Sequence, residues 1–236
     1  MANSLKVRLT EVHDRIARAT ARSGRAPGCV RLMAVTKGFP AAVVDTAVAA
    51  GLELFGENRV QEAEQKFAGL AGSWELHLIG HLQRNKARAA SALFHCVQSI
   101  DKLETAQALS RCASERGAET RILLELNTSG EESKSGYRGA DALFGDLDAI
   151  AGLGSLPLSG LMTVGPLTAD PGAIRDAFSM LREVFEECRR RLGLAGFDTL
   201  SMGMSGDYEI AIEEGATLVR LGTALFGQRG AGGLPA

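Results

Sequence analysis

The sequence lacks most of the features that mark membrane, secreted and metal-binding proteins. Its N-terminus has no long apolar run, which argues against a signal peptide or a membrane span. The four cysteines form no CxxC pair, so no metal site or disulfide framework is expected, and reduced thiols in a cytoplasmic protein are the default. The formal net charge is only −2, which gives no reason to expect nucleic acid or a membrane surface as a partner.

Aromatic residues are also scarce, at 5%, whereas hydrophobic residues reach 45%, so the core is expected to be mainly aliphatic. At 236 residues the chain is long enough for one α/β barrel or for two small domains. No linker rich in proline, glycine or serine divides it, which predicts a single domain over residues 1–230. Residues 231–236 follow a glycine-rich stretch and are expected to be a disordered tail.

The N-terminal segment has the pattern of an amphipathic helix packed on the body of the protein. Leu5, Leu9, Val12 and Ile16 recur at helical spacing. Gly24 and Pro27 follow and end the pattern.

Beyond that helix, short apolar runs alternate with amphipathic stretches, which predicts βαβ units and a parallel sheet. Eight such units in about 200 residues favour a closed (β/α)8 barrel, although the periodicity alone leaves an open doubly wound sheet as an alternative. The predicted strands span residues 29–36, 52–56, 75–80, 94–100, 121–127, 156–164, 198–203 and 217–222.

In a barrel, the chemistry is expected at the C-terminal ends of the strands. Lys37 directly follows the buried strand LMAVT, which is a poor place for a solvated charge. The turns at 201–206 and 220–223 are small, glycine-rich and hydroxyl-bearing, and each opens a helix, as anion sites often do. A phosphate site near a lysine suggests Schiff-base chemistry on a phosphorylated aldehyde.

Several long motifs carry a resemblance that runs from the N-terminal helix to about residue 229. They are LMAVTKGFP, FGENRVQEAEQK, HLIGHLQRNKAR, SIDKL, ELNTSGEESKSGY, GLMTVGP and LSMGMSGDYEIAIEEGATLVRLGTALFGQR. The sequence resembles the pyridoxal phosphate homeostasis protein family. This resemblance implies a single (β/α)8 TIM barrel of the fold type III class that binds pyridoxal 5′-phosphate, like the barrel domain of alanine racemase.

The resemblance also implies functions for individual residues. Lys37 would form the internal aldimine with pyridoxal phosphate. Arg220 would face the pyridine nitrogen, and Asn58 would line the ring or its rim. The phosphate would be held by Ser205, Gly222 and Thr223, with Ser201 close by.

Three functions remain open at this point. The first is a cofactor carrier that stores, protects or delivers pyridoxal phosphate, with transient contacts to apoenzymes. It is favoured because Arg220 at the ring would disfavour its protonation and so weaken carbanion chemistry. In addition, Tyr137 and Tyr208 lie in barrel loops rather than in a second domain that could supply a catalytic tyrosine. The alternatives are a low-activity amino-acid racemase and a Schiff-base aldolase acting on a sugar phosphate. No apolar stripe is left over to require a partner, so a monomer is expected.

Overall fold

Eight parallel strands form a closed barrel in chain order, in a computed structural model that describes residues 2–70 and 72–228. The first and last strands pair along four residues, from Arg31 beside Leu218 to Ala34 beside Leu221, and this pairing closes the sheet. The predicted barrel is therefore confirmed over the open sheet, and the predicted tail at 231–236 lies outside the described residues. The strands are β1 (Arg31–Val35), β2 (Leu54–Glu57), β3 (Glu75–Leu78), β4 (Cys96–Ile100), β5 (Arg121–Glu125), β6 (Leu158–Met162), β7 (Thr199–Ser201) and β8 (Leu218–Leu221).

Helices follow the strands and surround the barrel. A first helix, α1 (Ala2–Arg22), precedes β1, as the sequence predicts. The others are α2 (Ala41–Ala49), α3 (Val60–Phe67), a 3₁₀ turn (Arg84–Lys86) running into α4 (Ala87–Leu93), α5 (Leu103–Glu115), α6 (Ala140–Ala151), α7 (Pro171–Leu192), α8 (Tyr208–Glu213) and α9 (Thr223–Phe226). No helix in the described ranges is long and apolar enough to cross a membrane.

Helix α1 lies against α8 and α9, the helices that follow the last two strands of the barrel. Arg15 and Arg22 pair with Glu209 on α8, and the side chain of Arg8 donates to the carbonyl of Leu225 at 2.6 Å. Exposed ion pairs contribute at most about 1 kcal/mol each, so the buried apolar face of the helix supplies most of its attachment. The buried apolar residues of that face are Leu5, Val12, Ile16 and Ala19.

The strands alternate between two cores. On β1, Ala34 belongs to the large core between the barrel and its helices, whereas Met33 and Val35 pack with Leu54 and Leu218 in a small separate cluster. Because successive side chains on a strand point to opposite faces, this second cluster lies inside the barrel. Side chains thus fill the barrel interior. Polar residues of other strands, among them Gln98, Ser201 and Arg220, are buried there as well.

Gly160 on β6 gives a direct test of the barrel packing. Its φ is +153°, and a Cβ at this position would lie 1.8 Å from the carbonyl oxygen of Thr199 on β7. Neither backbone can move without breaking the β6–β7 ladder. We expect Gly160→Ala to reduce the free energy of unfolding by about 3 kcal/mol or more, measured by urea denaturation.

The matched control is Gly145→Ala, within α6, where a Cβ would meet nothing within 4 Å. Alanine is the better helix former, so this change should stabilise the protein by about 0.5–1 kcal/mol. Equal stability of the two variants would contradict the close approach of β6 and β7.

Candidate functional site

The polar residues predicted at the strand ends lie at one mouth of the barrel or, in the case of Ser201 and Arg220, in the interior below it. Since all eight strands are parallel, their carboxyl ends meet at the same face. Lys37 lies two residues beyond β1 and Asn58 directly beyond β2, and both are half-buried. β1 lies between β2 and β8, so the Lys37 turn is flanked by Asn58 on one side and by Gly222 and Thr223 on the other.

Side chains of α3 hold the main chain on both sides of Lys37. The carbonyl of Thr36 accepts from Lys66 Nζ at 2.6 Å, and the N–H of Gly38 donates to Glu62 Oε1 at 2.5 Å. Lys66 Nζ also donates to Glu62 Oε1 at 2.5 Å. The ion pair of Glu62 and Lys66, which stand one helical turn apart on α3, therefore holds the two peptide groups that flank Lys37. We call this arrangement the α3 clamp.

Glu57 completes the α3 clamp from the end of β2. Its Oε1 accepts from Thr36 Oγ1 at 2.6 Å and from Lys66 Nζ at 2.9 Å, and the side chain is fully buried. Burial raises the pKa of Glu57, while the contacts from Thr36 and Lys66 act in the opposite direction. The predicted strand ended at residue 56, whereas Glu57 is the last residue of β2, and its bonds to Thr36 and Lys66 accompany its burial.

Arg220 brings a positive charge into the barrel interior below the mouth. It is 4% exposed and donates to Ser201 Oγ and to the carbonyl oxygen of Thr163, both at 2.7 Å. Burial lowers the pKa of Arg220 to about 10, with the charges of Glu125 and Asp207 opposing the change. Arg220 forms no ion pair among residues 2–70 and 72–228, so this buried cation is available to an acceptor in the site.

Glu125 is a further buried acid near Arg220. Burial raises its pKa to about 7, and the charge of Arg220 acts against that rise. Asp207, in the turn after β7, also has a pKa raised by burial and accepts from the N–H of Met204 at 2.5 Å. Burial thus works against ionisation of both acids near Arg220, while the charge of Arg220 favours it.

The turns after β7 and β8 are joined by a hydrogen bond. Ser205 Oγ accepts from the N–H of Ala224 in α9 at 3.1 Å. Gly222 precedes α9 and packs against β1, where a Cβ would lie 3.1 Å from the carbonyl oxygen of Val35. Thr223 is exposed at the first position of α9. These turns place a hydroxyl and helix N-terminal N–H groups on one wall of the mouth, the arrangement that favours an anion.

Ser201 lies deeper than the two turns. Its hydroxyl is fully buried and bonds both Arg220 and Gln98 Oε1, the latter at 2.7 Å. The structure places Ser201 beneath Arg220 in the barrel interior. It is the last residue of β7, the strand that leads into the Ser205 turn, and its side chain points inward.

Sequence reasoning did not single out the residues that support the site. The α3 clamp has one local signal, since Glu62 and Lys66 stand at i and i+4 on a helix. No local sequence signal indicates that these two side chains contact the backbone around Lys37. Gln98 lies far from Ser201 in sequence, and nothing in either strand alone indicates that they meet.

Comparisons with known proteins agree with this geometry. The model of the alanine racemase N-terminal domain family matches residues 7–230. The pyridoxal phosphate homeostasis protein of Pseudomonas aeruginosa is 45% identical over 224 residues, which cover 94% of each chain. The protein of that name from Aquifex aeolicus is 38% identical over 223 residues, covering 94% of this chain and 97% of the relative.

A solved structure of PipY from Synechococcus elongatus, with pyridoxal phosphate bound, is 36% identical to this chain. It superposes with a TM-score of 0.79 and covers 90% of this chain and 100% of its own. The chain therefore belongs to the pyridoxal phosphate homeostasis protein family, within the broader family of alanine racemase N-terminal domains.

Proposed function

We propose that this chain binds pyridoxal phosphate reversibly through Lys37 and serves in intracellular homeostasis of that cofactor, by storing, protecting or delivering it. The observation that carries the proposal is the setting of Lys37. This half-buried lysine lies at the barrel mouth, and both peptide groups beside it are held by the α3 clamp. Membership of the family supports the same ligand.

The residues at the mouth suit the three chemical parts of the cofactor. When bound, pyridoxal phosphate supplies an aldehyde that combines with a lysine amine, a pyridine nitrogen and a phosphate. Lys37 offers the amine, and the buried guanidinium of Arg220 offers N–H donors to the ring nitrogen. Ser205, Gly222 and Thr223 offer hydroxyl and backbone N–H groups to the phosphate.

Two further residues complete the proposed site. Asn58 is half-buried next to the Lys37 turn, and in this proposal its amide lines the rim of the mouth. Ser201 supports Arg220 from below through its hydroxyl. In this proposal Ser201 acts on the ring side of the site through Arg220.

Binding without turnover is favoured by the state of the two tyrosines. The hydroxyl of Tyr137 donates to Asp146 Oδ2 at 2.9 Å, and burial together with this bond raises the pKa of Tyr137. Tyr208 is 1% exposed, and burial raises its pKa as well. Both hydroxyls are thus harder to deprotonate than usual, which disfavours either as a base toward a bound ligand, and a charged Arg220 at the ring would disfavour ring protonation.

The remaining parts of the proposal concern the setting of the protein. We place it in the cytoplasm, because its four cysteines, all in the described part of the chain, are free thiols. We further propose that residues 1–230 act as one domain, that the protein is a monomer, and that pyridoxal-phosphate-dependent apoenzymes contact it transiently.

The covalent part of the proposal is tested at Lys37. The purified protein mixed with pyridoxal phosphate should turn yellow, lose the colour with borohydride, and carry a pyridoxyl group on the Lys37 peptide by mass spectrometry. Lys37→Arg keeps the charge but has no amine that condenses with an aldehyde. It should therefore lose at least nine-tenths of the trapped label.

Lys6→Ala, at an exposed position of α1, is the matched control and should trap as the parent protein does. Full trapping in Lys37→Arg would contradict the assignment. Labelling that requires a sugar phosphate rather than pyridoxal phosphate would support the aldolase instead.

The phosphate wall is tested at Ser205. Removing a hydroxyl that donates to an anion costs roughly 1.5 kcal/mol, so Ser205→Ala should weaken pyridoxal phosphate about 10-fold, measured by equilibrium dialysis. Pyridoxal, which lacks the phosphate, should bind both proteins equally. A similar loss for the two ligands would place Ser205 elsewhere in the site.

The absence of turnover is tested with amino acids in D₂O. We expect the loaded protein to exchange α-hydrogen no faster than free pyridoxal phosphate at the same concentration, measured by NMR for alanine and serine. Exchange at least 10-fold faster, lost in Lys37→Arg, would support the racemase alternative instead.

A further inference from the structure

A continuous chain of side-chain hydrogen bonds crosses the barrel interior from Arg220 to the opposite mouth. Arg220 donates to Ser201 Oγ at 2.7 Å, and Ser201 Oγ donates to Gln98 Oε1 at 2.7 Å. Gln98 Nε2 lies 2.8 Å from His77 Nδ1, and His77 Nε2 lies 3.3 Å from Glu75 Oε2. These side chains come from β8, β7, β4 and β3, and we call them the interior chain.

The chemistry of the two ends fixes the direction of every bond between them. A guanidinium only donates and a carboxylate only accepts. The Ser201 hydroxyl accepts from Arg220 and directs its single hydrogen to Gln98 Oε1. The amide nitrogen of Gln98 then faces His77 Nδ1, which must accept, and the ring proton of His77 lies on Nε2, toward Glu75.

The far end is held as an acceptor by its own neighbours. Glu75 Oε2 also accepts from Arg121 at 2.8 Å and from Arg31 at 3.2 Å. The hydrogen bond from His77 and these two arginines hold the pKa of Glu75 well below its usual range. Glu75 therefore stays ionised at neutral pH, and the chain keeps a permanent anion at its end.

Reversing the chain would require a charged histidine in the interior. If the Gln98 amide were turned over, its oxygen would face His77 Nδ1, which would then need a proton. The proton on Nε2 is needed as well, because Nε2 faces the Glu75 carboxylate. Burial lowers the pKa of His77, and the charges of Arg121 and Arg31 act in the same direction. Together they outweigh the hydrogen bond and charge of Glu75, which raise it, so this imidazolium is disfavoured.

We infer that Gln98 is a positioning residue for Arg220, acting through Ser201, and that His77 fixes the orientation of the Gln98 amide. Gln98 and Ser201 are fully buried, so water cannot replace either contact. Without the Gln98 acceptor, the Ser201 hydrogen would have to turn elsewhere, and Arg220 would keep a firm hold only on the Thr163 carbonyl. The inference rests on the proposed function in one respect, namely that Arg220 faces the ring nitrogen of the cofactor.

The direction of the chain is tested first in the cofactor-free protein. The ¹⁵N spectrum of the imidazole of His77 should show a neutral ring with its proton on Nε2 throughout about pH 6–8. An Nδ1–H tautomer, or an imidazolium in this range, would overturn the assigned direction. This result does not depend on whether the protein binds pyridoxal phosphate.

The positioning function is tested with Gln98→Met, which keeps the length of the side chain but removes its amide. We expect pyridoxal phosphate to bind this variant about 3- to 10-fold more weakly. An analogue in which a C–H group replaces the ring nitrogen should bind the variant and the parent protein equally, because it offers Arg220 no acceptor. Leu123→Met, a buried change in the barrel interior outside the chain, should weaken neither ligand.

The outcomes separate the two proposals. If the parent protein binds no pyridoxal phosphate, the proposed function fails. The His77 spectrum still decides the direction of the hydrogen bonds in the interior chain. If Gln98→Met weakens both ligands equally, or neither, Gln98 does not act through Arg220 and the inference fails. Should Gln98→Met not fold, Ser201→Ala breaks the same connection and must show the same ligand-selective loss.

Discussion

A guanidinium inside a barrel needs acceptors, and the interior of this protein is arranged around that need. Arg220 is 4% exposed and obtains acceptors from β6 and β7, through Thr163 and Ser201. An unpaired buried charge costs several kcal/mol, so each acceptor must be held in turn. This explains why Gln98 and His77 occupy positions where a barrel usually places aliphatic side chains.

The site combines this buried cation with two other supports that differ in kind. The α3 clamp acts on the main chain around Lys37 and involves charged side chains of β2 and α3. The wall formed by Ser205 and the start of α9 consists of two short turns that are joined by one hydrogen bond. The neighbouring strands β7, β8, β1 and β2 thus bring these three features to one mouth of the barrel.

The sequence was sufficient for the architecture but not for the internal contacts. Each strand lies inside its predicted range, except that β2 ends one residue beyond it, because the buried runs are short and regularly separated by amphipathic helices. Lys37 and the turns at Ser205 and Gly222 could be located, since a strand end in a barrel is a definite place. The cofactor itself came from the family resemblance. Gln98 and Ser201 meet only because the barrel closes with a particular stagger, which no local pattern encodes.

Lys66 shows how the protein distinguishes between two lysines that lie near the same mouth. Its ammonium donates one hydrogen each to Thr36, Glu57 and Glu62, so all three hydrogens are used. An amine reacts with an aldehyde through its lone pair, and an ammonium held by three acceptors has none to offer. The contacts that fix the backbone of Lys37 therefore also occupy the ammonium of Lys66, which leaves Lys66 poorly suited to compete with Lys37 for an aldehyde.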